Sequence, residues 1–208
     1  MPIADDLDVL AATMRTQRTA IKPWMPVTDY SFDARKAIEG DHPQLIRDVL
    51  QPIRLLDVGC GHGHLVRLLR EQGVRAYGVD VTVPPLLASQ GIQYGDVTNE
   101  RTIPQKTYDV VVCREVLEHL TIRGVVLAVR TLVATSTRLI YVTTRFAKAP
   151  RSLLTVDTAD DLDPTHITML NQDLLRLLFV LEGCTRRADL EAQMDWKKLG
   201  RVLVYEVA

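Results

Sequence analysis

Four residues carry side chains suited to moving protons or gripping a cation, and three of them fall in one short stretch. In "REVLEHL" (114–120), Glu115, Glu118 and His119 stand at i, i+3 and i+4, a spacing that a helix gathers on one face. An imidazole changes charge near neutral pH, which suits His119 to take a proton from a reacting hydroxyl. His166 lies in "DLDPTHITML" (161–170), in a segment able to fold back over the same end of a sheet. Two carboxylates and two imidazoles are also a donor set for a divalent metal. The same residues read equally as a solvated polar face whose members pair locally.

A second stretch is built for a ligand rather than for a reaction. "LLDVGCGHGHL" (55–65) sets Gly59, Gly61 and Gly63 at alternate positions between two apolar runs. Glycine lets backbone approach a ligand closely and adopt positive φ, and a helix that follows turns its N–H groups toward an anion. A dinucleotide fingerprint would read G-x-G-x-x-G. Here the third glycine comes one residue early and His64 fills the dinucleotide position, which argues against a nicotinamide oxidoreductase. Asp57 precedes the loop, Asp80 ends the next apolar segment, and Asp96 ends the one after that in "YGDV". A carboxylate in the place of Asp80 can accept both hydroxyls of a ribose. Together these residues describe a ligand with a ribose, an amine-bearing base, and a tail that needs both a cationic and an anionic partner.

The elements that must position these groups alternate. Strands are predicted at 53–58, 75–81, 92–97, 108–113 and 138–144, with helices at 41–50, 64–73, 84–91, 114–134 and 171–183, the helix over 114–134 with a break near Gly124. Two further strand-like stretches, near 184–190 and 200–208, carry a short polar link and suggest a terminal hairpin. This order predicts an α/β fold: a doubly wound, mostly parallel, seven-stranded Rossmann-like sheet with a C-terminal antiparallel strand. Residues 1–40 read as an N-terminal helical extension, with a helix over 5–18 and the aromatics Trp24, Tyr30 and Phe32. Residues 41–208 read as the ligand-binding domain. The extension and the loop from Arg145 to Thr165 flank one sheet end and are candidates to close over a substrate.

The glycine stretch "LLDVGCGHG", with "GVDVT", "GDV" and "YDVVVCREVLEHL" in that order, resembles the class I S-adenosylmethionine-dependent methyltransferases over roughly residues 41–207. The resemblance implies that Gly59, Cys60, Gly61 and Gly63 shape the methionine side of a cofactor site. It implies that Asp80 and Val81 hold the ribose, that Asp96 and Val97 flank the adenine, and that the backbone at Cys113 and Arg114 approaches the methionine, whose amine Asp57 serves. The expected activity is methylation of a small molecule, at oxygen, with His119, His166 and Glu115 as the catalytic groups and S-adenosylmethionine as the cofactor. E-x-x-E-H with a later histidine also resembles the metal-dependent small-RNA 2′-O-methyltransferases, and similar residues occur in the ubiquinone-pathway O-methyltransferases. Metal-assisted RNA methylation, with Glu115, Glu118, His119 and His166 as ligands, therefore stands as an alternative, as does a catalytically silent binding module.

Composition narrows the partners. Among 208 residues, 25 Lys and Arg face 26 Asp and Glu, a net charge of −1 that offers no general attraction to nucleic acid or an anionic membrane. No apolar run reaches the ~18 residues that cross a bilayer. Three cysteines, Cys60, Cys113 and Cys184, sit in or beside apolar runs without metal-like spacing and read as small buried hydrophobes, which with the acidic N-terminus suggests a cytoplasmic protein.

Overall fold

The computed structural model describes residues 41–83, 90–147, 154–155 and 165–208. The expected extension over 1–40 and the helix expected over 84–91, apart from its last two residues, lie outside the described residues, as does most of the loop from Arg145 to Thr165. Nine strands are described: β1 (Arg54–Val58), β2 (Arg75–Asp80), β3 (Ile92–Tyr94), β4 (Tyr108–Arg114), β5 (Ser136–Thr143), β6 (Leu154–Thr155), β7 (Met169–Leu170), β8 (Thr185–Arg186) and β9 (Val202–Glu206). Seven of them form one sheet in the order β3-β2-β1-β4-β5-β9-β8. β1 to β5 run parallel, whereas β9 is antiparallel to both β5 and β8. β6 and β7 pair separately as a small antiparallel ribbon.

The helices are α1 (His42–Leu45), which continues as a π-helical turn over Ile46–Leu50, then α2 (His64–Glu71), α3 (Ile122–Thr135), α4 (Gln172–Leu181) and α5 (Ala188–Met194). Strand side chains alternate between faces, and each face has its own apolar layer. Leu56, Val58, Val111, Ile140 and Val142 meet α3 and α4 through Val125, Leu132, Leu175 and Phe179, with Phe179 stacked on Tyr205 of β9 at 4.4 Å. Leu55, Val110, Val112, Leu139 and Tyr141 meet α1, α2 and α5 through Ile46, Leu50, Leu69 and Met194. Burial on both faces explains why "VVVC" in β4 is an unbroken apolar run.

Two expectations fail locally. The helix expected from 114 begins only at Ile122, where the Thr121 hydroxyl accepts the N–H of Gly124 and caps it. Gly124 therefore lies in the first turn and breaks nothing. Residues 115–121 are instead a turn containing a 3₁₀ segment, Leu117–His119. The strand expected near 184–190 holds two paired residues, Thr185 and Arg186, before the chain coils into α5. Glu191 of α5 sits under this hairpin, accepting from the Arg186 guanidinium at 2.6 Å and from the Val204 N–H at 3.3 Å.

At the amino end of the sheet, Asp109 accepts the N–H groups of Ile53 and Arg54 at 3.0 and 2.6 Å and a hydrogen bond from Arg138 at 2.9 Å. It thereby fixes β1 against β4 and β5. Asp109→Ala leaves two backbone donors and a cation without this acceptor and is expected to cost about 2 kcal/mol, read by urea unfolding; a change below about 0.5 kcal/mol, the usual spread of a neutral surface substitution, would show that the clamp is dispensable.

Candidate active site

In an open parallel sheet, the crevice lies beyond the carboxyl ends of the strands, and the groups singled out from the sequence collect there. Gly59, Gly61 and Gly63 follow β1 with φ of 74°, 52° and 72°. The Gly59 and Cys60 N–H groups both donate to the Val79 carbonyl, at 2.8 and 3.1 Å, stitching the loop to β2. A side chain at Gly59 would collide with Val116 just past β4. Among the described residues, nothing lies within 4 Å of a Cβ placed at Gly61, so none of them fills the space before the middle of the loop. Gly63 is the N-cap of α2.

The strand-end carboxylates are held by their neighbours. Asp80 accepts the Gly61 N–H at 2.9 Å through Oδ2, and the Thr82 N–H and hydroxyl at 2.9 and 2.7 Å through Oδ1. The half-buried Val81 lies between Asp80 and Thr82. Asp96 accepts the Thr98 N–H at 2.8 Å and hydroxyl at 2.6 Å through Oδ1, with Val97 buried beside it. Asp57 is buried in β1, and burial together with the nearby charge of Asp80 pushes its carboxyl up to about 7, against an opposing pull from Arg114. Cys60 and Cys113 are buried free thiols whose pKa values burial raises, so they pack rather than react.

After β4 the chain turns at Glu115, which adopts φ 51° and donates its N–H to the Thr143 carbonyl at 2.8 Å. Positive φ in a non-glycine residue is a local cost that marks a constrained turn. That turn, rather than a helix face, brings the candidate catalytic groups together. Glu118, His119 and His166 each offer a ligand atom, all within 4.8 Å of one another. The two imidazole rings lie 4.8 Å apart, tilted by 60°. Glu115 stands beside the cluster: its carboxylate lies 3.7 Å from Arg145, and it raises the pKa of Glu118 through its charge and through a hydrogen bond between the two carboxyl groups.

Each member of the cluster is fixed from behind. Glu118 is fully buried, and its Oε2 accepts the Thr144 hydroxyl at 2.7 Å. Its backbone carbonyl accepts the N–H groups of Ile167 and Thr168 at 2.9 and 3.1 Å, which docks the His166 segment onto the turn. His119 Nδ1 lies 3.2 Å from the Thr165 carbonyl and 2.9 Å from its hydroxyl. The carbonyl only accepts, whereas the hydroxyl can donate or accept; in the tautomer with the proton on Nδ1, donated to the carbonyl, the imidazole lone pair stands on Nε2. That is the tautomer a general base or a metal ligand needs. Burial, then the charge of Glu115, raises the Glu118 pKa well above the carboxylate range. Among the described residues no hydrogen-bond donor reaches its buried Oε1. An orphaned carboxylate oxygen beside two imidazoles fits a divalent cation of the borderline class. Thr144 and Thr165 escaped the sequence reading; the polar "TT" (143–144) that follows the apolar "LIYV" of β5 is the one signal of the former.

Residues 33–185 match the family described as "Methyltransferase domain". The ubiquinone biosynthesis O-methyltransferase of Histophilus somni is 37% identical over 81 residues, covering 32% of this chain and 34% of that protein. The chain thus spans about a third of the length of that curated relative. The 1,6-didemethyltoxoflavin-N1-methyltransferase of Burkholderia thailandensis, solved with 1,6-didemethyltoxoflavin and S-adenosylhomocysteine, superposes with a TM-score of 0.59 at 16% identity, covering 100% of this chain and 92% of that one. The [4+2]-cyclase SpnF superposes with a TM-score of 0.58 at 14% identity, covering 98% and 93%. At such identities the likeness is one of fold, and SpnF carries a different reaction on it.

The raised pKa of Glu118 has a consequence for stability. The folded state holds this proton above the pH at which the unfolded chain releases it, so stability falls as pH rises from the ordinary carboxylate range toward the raised value. In chelator-treated protein, Glu118→Gln is expected to flatten this decline and to gain stability relative to wild type between pH 6 and 8, followed by urea unfolding. A parallel decline in both proteins would contradict the assignment.

Proposed function

The chain belongs to the methyltransferase-domain family, and from that premise we propose that it is an S-adenosylmethionine-dependent methyltransferase acting on an oxygen of a small molecule. The observation that carries the reading is the pairing, at one sheet end, of a glycine loop latched to Asp80 with an imidazole held by Thr165 in the turn after β4. When bound, the cofactor supplies a methyl group activated on a sulfonium. The residues of this chain do the rest. Asp80 presents a carboxylate to the ribose hydroxyls, Asp96 and Val97 line the adenine side, and the Gly59–Gly63 loop leaves room for the methionine. Asp57 offers its charge to the ammonium. His119 would take the acceptor's hydroxyl proton at Nε2, freeing an oxygen lone pair to accept the methyl group. The partial relatives named for O-methylation support oxygen as the acceptor atom.

A second reading is favoured by the orphaned oxygen of Glu118 within reach of both imidazoles. Glu118, His119 and His166 would hold a divalent cation, which supplies Lewis acidity beside the acceptor. The balanced charge of the chain favours a small molecule over RNA in this version also.

Asp80→Ala is expected to weaken S-adenosylmethionine binding by roughly 1.5–3 kcal/mol through lost charge-assisted hydrogen bonds, measured by calorimetry; equal affinity in the variant would remove the ribose role. The Asp57 carboxyl near 7 gives a sign to the pH dependence. An ammonium prefers the ionised carboxylate, so affinity should climb as pH rises through 7 and the climb should vanish in Asp57→Asn. Turnover with an acceptor found by pooled screening separates the two catalytic readings. His119→Ala should cost ~10²–10⁴-fold in kcat with cofactor Kd unchanged. Loss of activity in chelator, restored by a divalent cation, assigns the cluster to a metal; indifference to chelator assigns it to proton transfer. Binding without turnover on any acceptor would leave a silent module.

A further inference from the structure

The stretch "DWKKLGR" (195–201) joins α5 to β9, and polar bonds hold its backbone. The Asp195 carboxylate accepts the N–H groups of Leu199 and Gly200 at 3.0 and 2.8 Å, and the Asp195 carbonyl accepts that of Lys198 at 2.8 Å. The Gly200 carbonyl accepts the side-chain amide of Gln172, at the start of α4, at 3.0 Å. The loop is therefore closed on itself by Asp195 and tied to the body by Gln172. Its two large apolar side chains take no part in these bonds: Trp196 is 47% exposed and Leu199 54%. Cations stand among them. Lys197 and Lys198 are exposed, Arg201 is half-buried, and the Lys197 ammonium lies 5.0 Å from the Trp196 ring centre. Among the described residues no hydrogen bond or ion pair engages the charged ends of Lys198 and Arg201. The one carboxylate of the stretch is turned inward onto backbone N–H groups. Val202, which follows the loop, pairs with Thr143 at the carboxyl end of β5, so the loop stands at the same sheet end as the glycine loop.

We propose that the 195–201 loop seats the protein on an anionic lipid surface, with Trp196 and Leu199 entering the headgroup boundary and Lys198 and Arg201 facing lipid phosphates. A single exposed leucine would mean nothing. An indole and a leucine presented together on a fixed loop, with cations beside them, match the two layers of a membrane interface. The indole ring is at home at headgroup level, and leucine reaches the acyl boundary. Lysine and arginine lay their stems along the apolar layer and keep their charged ends at the phosphates. Charge names the partner. Each cation near an anionic surface raises partitioning about fivefold, so Lys198 and Arg201 together supply about 25-fold. The whole chain is balanced at a net charge of −1, so this attraction belongs to the loop and not to the protein at large. Two apolar side chains fall short of the ~800 Å² that each side of a stable protein interface buries, which favours a lipid surface over a second copy of the chain. The loop is already formed, so seating it costs little ordering entropy. Bound in this way, the carboxyl edge of the sheet faces the lipid. The seating uses none of the cofactor groups and stands apart from the methyl-transfer reading.

Flotation of the full chain with vesicles tests this, using phosphatidylcholine alone and phosphatidylcholine mixed in equal parts with phosphatidylglycerol. The wild type should bind the mixed vesicles at least about 10-fold more tightly than the neutral ones, and binding should weaken as salt is raised. Lys198→Asn combined with Arg201→Gln should lose about 25-fold on mixed vesicles; asparagine suits the φ of 52° at position 198. Trp196→Ser should lose roughly 10-fold through the apolar contact. The chain has two tryptophans, Trp24 and Trp196, so in Trp24→Phe the emission belongs to Trp196 and should shift to the blue when mixed vesicles are added. If Trp196→Ser fails to fold by circular dichroism, the charge variant and the emission shift decide. No binding to mixed vesicles, or equal binding to both kinds, would overturn the proposal. So would binding that the variants leave unchanged, which would put the contact elsewhere on the molecule. A concentration-dependent dimer that Trp196→Ser abolishes, without vesicle binding, would hand the face to a second copy and overturn it as well.

Discussion

The hydrogen bond from the Gly61 N–H to the Asp80 carboxylate is the contact on which the rest of this sheet end depends. Three glycines in the left-handed region leave the loop little side-chain packing beyond that of Cys60, so its shape must be imposed largely from outside. The Val79 carbonyl holds its beginning, Asp80 holds its middle, and Gly63 passes it into α2. The same carboxylate is turned by Thr82, so that one aspartate sets both the loop and its own orientation. Without that latch, neither the space before Gly61 nor the position of the Asp80 oxygens would be defined. Preorganisation of this kind keeps the entropy of ordering a glycine-rich loop from being charged against ligand binding.

A second constraint organises the reactive side. Burying Glu118 completely forces every atom of that residue to find a partner or to be answered by a proton or a cation. Its carbonyl gathers Ile167 and Thr168, its carboxyl gathers Thr144, and Thr165 steadies the neighbouring imidazole. The turn after β4 and the segment before β7 are thereby one structural unit, although they lie more than forty residues apart. The strained Glu115 is the hinge that delivers the chain from the strand into that unit.

How far this was legible in the sequence depends on which physics was at work. The apolar runs "VVVC" of β4 and "LIYV" of β5, the apolar helical stripe of α2, and the Asn171 cap of α4 are local signals, and each element formed where the pattern put it. The convergence of Glu118, His119 and His166 was also legible, but for a mistaken reason: the i, i+3, i+4 spacing suggested a helix, whereas a 3₁₀ turn closes the cluster. That turn is fixed by long-range bonds to Thr143, Thr144 and residues 165–168, and no local pattern announces them. α5 was missed in the same way, since "ADLEAQM" is held by Glu191 beneath the terminal hairpin and not by an apolar stripe long enough to read.

The central claim is that the carboxyl edge of this sheet is a nucleoside-cofactor site organised by the glycine loop. Its most direct test is a nuclear magnetic resonance titration of the isotopically labelled chain with S-adenosylhomocysteine. The account predicts that the largest amide shifts fall on Gly59, Gly61, Asp80 and Asp96, with the amino-end residues Ile53 and Arg54 unmoved. Shifts absent from the glycine loop, or confined to the opposite end of the sheet, would contradict it.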